Sequence, residues 1–150
     1  MLKWTIIGES EEFDVLGTCV GDLERLRDKI QKYEGHFRDI LFDGLTDDEV
    51  MELIYKSNQL ESEYNPVFSH LPVMKTNELW YKHTVTLAES TDSYNIVVFE
   101  EGGKLKFVWQ KWKDRKRGLK NENNVFVEYD DLYAAINEFL LYIKTITLKT

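Results

Sequence analysis

Along residues 79–87 Leu79, Tyr81, His83, Val85 and Leu87 alternate with Trp80, Lys82, Thr84 and Thr86. A period of two predicts a strand with one buried face. The same alternation in Leu2, Trp4 and Ile6, closed by Gly8, predicts a strand over residues 2–7, and a second short strand is expected over 13–19. Residues 94–99 and 105–109 are rich in β-branched and aromatic types and are joined through Glu100, Glu101, Gly102 and Gly103. That is a hairpin pattern, in which the glycine pair supplies the positive φ angles of a tight turn. Residues 125–127 form one more short strand.

Helical spacing marks three other stretches. Leu23, Leu26, Ile30 and Tyr33 recur at intervals of three and four after Asp22, a candidate N-cap, and Gly35 stands where that helix stops. Thr46 followed by Glu49 is a capping-box pattern, predicting a helix from residue 47 to about 58 that buries Val50, Leu53 and Ile54. After Asp130, a candidate cap, Leu132, Ile136, Phe139, Leu140 and Ile143 fall on one stripe of a closing helix. Residues 61–77, with Pro66 and Pro72, read as an irregular connection, and the polar residues 113–124 as a loop. The expected architecture is one α+β domain over residues 1–150: an antiparallel sheet of at least four strands with about three helices packed on one face, centred near Arg27, Met51 and Asn137. Its core should include Trp4, Ile6, Leu26, Ile30, Val85, Val98, Phe107, Ile136, Phe139 and Leu140.

Composition narrows the class. The chain has 150 residues, 43% hydrophobic and 13% aromatic, enough to build a core without metals or disulfides. Cys19 is the single cysteine, which fits a reducing compartment, and the cytoplasm is the expected location. No stretch is long and apolar enough to span a bilayer, and the first residues lack the apolar run of a signal peptide. The net charge is -8, distributed unevenly: residues 104–120 hold eight bases against one acid, while the remainder is acidic. An acidic body repels phosphate backbones and favours a basic partner, so nucleic acid is not the expected ligand.

Chemistry is sparse. His36, His70 and His83 stand apart from one another and from Cys19, so zinc is not expected. His83 reads as a hydrogen-bonded histidine of a strand, and Cys19 as a small buried apolar residue. The acidic run Asp43, Asp47, Asp48, Glu49 and Glu52 fails the EF-hand test, because Leu41 and Val50 fall where oxygen ligands are required. Phosphate-cradling and nucleophile-elbow patterns are missing as well. The expectation is therefore a protein without cofactor or metal, and not an enzyme.

Two surface clusters remain as candidate binding sites. Acids gather at Glu9, Glu11, Glu12 and Asp14 and again at Asp43, Asp47, Asp48 and Glu52. The second set can lie along the first turns of a helix as a rigid array, and is the favoured partner-binding surface. The other cluster is basic and aromatic: Trp112 among Lys111, Lys113 and Arg115, a stacking platform for RNA in an alternative reading. Its simpler role is a solvated basic segment paired with acids of the same domain.

From Leu79 to Ile146 the layout resembles the small immunity proteins that protect bacteria from their own polymorphic or contact-dependent toxins. The shared features are the aromatic-rich strand pair over 94–99 and 105–112, a polar loop, and a short strand from Val125 ending in the acid Glu128. A closing helix follows, with the cadence Asp131, Leu132, Ile136, Phe139 and Leu140. The resemblance implies a cytoplasmic binding protein that neutralises a cognate toxin domain, often a nuclease, by covering its active site or another surface it needs.

Overall fold

The hairpin organises the molecule. In the computed structural model, which describes residues 16–31, 35–58, 68–87, 91, 93–121 and 123–147, strands β1 (Tyr94–Glu101) and β2 (Lys104–Lys111) pair antiparallel. Gly102 and Gly103 turn the chain at φ 62° and 78°, angles that a side chain would strain. A third antiparallel strand, β3 (Asn124–Val127), lies on the other side of β2, giving the order β1-β2-β3.

Around this sheet the chain places α1 (Leu16–Gln31), a 3-10 turn (Ile40–Phe42), α2 (Asp47–Lys56), α3 (Glu78–His83), α4 (Trp112–Lys116) and α5 (Tyr129–Thr147). The class is α+β. The helices cover both faces of the sheet, not one. Ile96, Val98, Leu105, Phe107 and Trp109 pack with Leu26 and Ile30 of α1 and Ile136 of α5. Val97, Phe99 and Val108 point the opposite way, onto Val50, Met51, Leu53 and Ile54 of α2 and Leu79 of α3. The physical reason lies in the strands themselves. Residues 96–99 and 107–109 are apolar without interruption, so neither face can be left to water.

Among the described residues the sheet has three strands, against the expected four or more. The strand expected over 2–7 and the start of that over 13–19 lie outside the described residues, with Trp4 and Ile6; residues 16–19 open α1. Residues 79–83 are helical because their alternation contains a second pattern. Leu79 and His83 are four apart, and both insert into the apolar layer between α2 and the sheet. Thr84 closes this helix by donating Oγ1 to Trp80 O at 2.6 Å. The chain then runs briefly against β1, through a bridge of Thr84 with Val97 and the Val85 N–H to Ile96 O bond of 2.9 Å.

Several local expectations are met by direct contacts. Thr46 Oγ1 accepts from Glu49 N at 3.2 Å while Glu49 Oε2 accepts from Thr46 N at 2.7 Å, completing the capping box of α2. Gly35 has φ 83° beyond α1. Asp22, in contrast, is no cap: α1 starts at Leu16, and Asp22 is buried within it and paired with Arg25. Asp130 lies in the first turn of α5, which starts one residue earlier. The polar stretch after Trp112 opens as α4.

Leu26, Ile30, Val85, Val98, Phe107 and Ile136 are buried as expected, and Leu140 is half-buried. Phe139 is 39% exposed and does not belong to the core. The inward stripe of α5 runs through Leu132, Ile136, Leu140 and Ile143, and Phe139 falls at its margin.

Candidate functional site

Helix α2 holds its acids at fixed positions, and most of them are engaged by the protein itself. Asp47 receives the Lys106 ammonium at 2.7 Å, and the same Nζ reaches Glu101 at 3.1 Å while lying 5.0 Å from the Phe126 ring centre. Burial alone would lower the Lys106 pKa, but the hydrogen bonds to Asp47 and Glu101 outweigh it and hold the ammonium above its ordinary value. Asp48 accepts from the Asn121 N–H with both oxygens at 3.3 Å, and burial raises its carboxyl above the usual range despite that bond. Glu52 is only 2% exposed and accepts from Phe68 N at 2.9 Å. Asp43 stays exposed, 3.5 Å from Arg38.

The expected solvent-facing acidic array is thus mostly internal. Of its members Asp43 alone is exposed, while Asp47, Asp48 and Glu52 are turned to Lys106, Asn121 and Phe68. Glu9, Glu11, Glu12 and Asp14 lie outside the described residues.

The basic segment meets the same helix. Arg115 places its guanidinium 4.6 Å from the ring centre of Tyr55 on α2. Lys113 lies over Trp112 at 5.7 Å and Lys111 over Tyr94 at 5.8 Å. Trp112 remains 38% exposed. Between α2 and this segment is a cavity of about 400 Å³ lined by Asp48, Met51, Glu52, Phe68, Arg115 and Leu119, among others. Folding therefore brings the two candidate clusters together: Asp48 and Glu52 face Arg115 across one depression, whereas Asp43 and Trp112 stand outside it. The Arg115 guanidinium on the Tyr55 ring and the Asn121 N–H bonded to Asp48 hold the segment against α2.

His83 is a core residue. Its Nδ1–H donates to Val98 O at 2.8 Å, and its ring lies 4.8 Å from that of Phe42. Burial lowers its pKa to about 4, so it is neutral near pH 7. His70 bonds Glu49 at 2.8 Å on the surface. Cys19 is half-buried on α1, not on a strand. Among the described residues no three His, Cys, Asp or Glu side chains are grouped to hold a metal ion, and no helix is long and apolar enough to cross a membrane.

A further surface escaped the sequence reading. Leu141 and Tyr142 on α5 are 65% and 61% exposed, with Phe139 and Ile146 beside them. Asp130, Asp131 and Glu138 are exposed on the same helix. The signal was present in the sequence: residues 139–143 are apolar without a break, so a helix there must carry apolar side chains all round. At the start of α5 a second cavity of about 400 Å³ lies against the end of α1 and the hairpin turn, lined by Ile30, Gly103, Glu128, Tyr129, Asp130 and Tyr133 in part. Tyr129 donates its hydroxyl to Glu100 at 2.7 Å, and burial with that carboxylate raises its pKa.

No family model, curated protein or solved structure matches this chain.

Proposed function

We propose that this chain is an immunity-type binding protein that neutralises a cognate bacterial toxin domain in the cytoplasm by forming an inhibitory complex. The observation that carries this reading is the outer side of α5, where large apolar side chains and carboxylates stand together in solvent. Exposed apolar groups of this density mark interaction surfaces in soluble proteins. The acidic balance of the chain suits a basic partner, and a nuclease is basic where it binds its phosphate substrate. Inhibition by such a protein requires only that it cover the toxin.

The test is co-expression with toxin domains encoded in the same genome, scored for one whose growth arrest the chain reverses. Restored growth and a stoichiometric complex that abolishes the toxin's activity are expected. Every toxin left fully active in the presence of excess chain would refute the reading.

Trp112, Lys111, Lys113 and Arg115 support a second reading, an RNA-associated or regulatory module, because Trp112 keeps an exposed face beside Lys113. Salt-sensitive retention of RNA that is lost in Trp112→Ala distinguishes it.

A further inference from the structure

The acids of α2 and α5 differ in what they touch. Asp47, Asp48, Glu49 and Glu52 of α2 are each bonded within the protein. On α5, Asp130, Asp131 and Glu138 are exposed and make no ion pair with a described residue. They border the apolar side chains of Leu141 and Tyr142. From Asp130 to Ile146 the helix extends about 24 Å at 1.5 Å per residue, comparable to one side of an ordinary protein interface.

Charge decides which kind of partner fits. A second copy of this chain packed on the same side would bring both sets of exposed carboxylates into one interface, and their repulsion disfavours it. A domain with apolar depressions flanked by lysine and arginine is complementary to both features. The cavity beside Asp130 adds a place for one cationic side chain, since Asp130 offers a carboxylate and Tyr129 and Tyr133 offer rings, while Glu128 on its rim is already paired with Lys104 at 3.3 Å.

We propose that the outer side of α5, from Asp130 to Ile146, docks a basic protein domain, with the cavity beside Asp130 receiving a lysine or arginine of that partner. This rests on the immunity reading above, in which the partner is the toxin domain. It moves the interface from α2 to the opposite layer of the molecule.

The experiment titrates the toxin domain that the chain neutralises in the co-expression test into the full chain by calorimetry. Leu141→Asp and Tyr142→Ala should each weaken binding at least about tenfold. Asp130→Asn should weaken it and flatten its dependence on salt. Asp43→Asn, at the exposed acid beside α2, should stay within about twofold of the parent. All four positions are exposed, and unchanged thermal melts verify that folding is intact. Parent affinity in the three α5 variants overturns this surface while leaving the immunity reading in place; failure of the parent chain to bind overturns both. Two other results also overturn it. One is a dimer of the free chain that Leu141→Asp dissociates, which assigns the side to a second copy. The other is a stability loss in Tyr142→Ala that vanishes when residues 1–15 are removed, which assigns it to the chain's own N-terminal segment.

Discussion

Single residues show how burial changes the meaning of a charge. Glu52 reads in sequence as one more acid in an exposed run, yet it is buried and tied to Phe68 N. Glu52→Lys should therefore destabilise by more than about 3 kcal/mol, because it buries a cation near Arg115 and removes an acceptor. Asp43→Lys, at an exposed site, should change stability by less than about 0.5 kcal/mol. Urea unfolding of the two variants checks the contrast. His83 gives a prediction in pH. Its folded pKa of about 4 lies below the ordinary 6.5, so between those values the unfolded chain binds more protons than the folded one. Its contribution to stability is complete above pH 6.5 and is lost as pH falls toward 4. The urea midpoint should decline across that window, and less steeply in His83→Gln, which keeps a donor for Val98 O but does not titrate. The burial of Glu52 was not legible in sequence, because it follows from the neighbours the fold supplies, whereas that of His83 was expected from its place on the apolar face of residues 79–87.

At the level of elements, α5 contrasts with α2. The cap and apolar spacing of α2 identify its boundaries from sequence, and the structure reproduces them within about two residues. The extent of α5 was equally legible, but not which of its apolar positions face inward. Ile136→Ala should cost about 2–5 kcal/mol, since Ile136 is buried against the sheet. Phe139→Ala should cost less than about 2 kcal/mol, because much of its ring is already in water. Equal losses in thermal or urea unfolding would mean that both sides of the helix are covered. Residues 79–83 illustrate the converse ambiguity. A short alternating run with apolar residues four apart satisfies both periods, and packing beneath α2 selects the helix.

For the molecule as a whole, the central event is burial of one hairpin on both faces. Amide exchange should be slowest at Val97, Val98, Phe107 and Val108, whose side chains and backbone are enclosed by helices and neighbouring strands. The last turns of α5 should exchange much faster, as their outer side lies in solvent; hydrogen-exchange mass spectrometry reads both. Sequence alone determined the hairpin, the glycines that turn it, the capping box and the positions of three helices. Each depends on contacts within a few residues or on a period intrinsic to the chain. Tertiary structure decided that helices lie on both faces, that 79–83 is helical, that Glu52 faces inward, and that the acids of α2 meet Lys106 and Asn121. Those outcomes turn on pairs such as Asp47 with Lys106, 59 residues apart, whose encounter depends on how the layers stack and not on any local pattern.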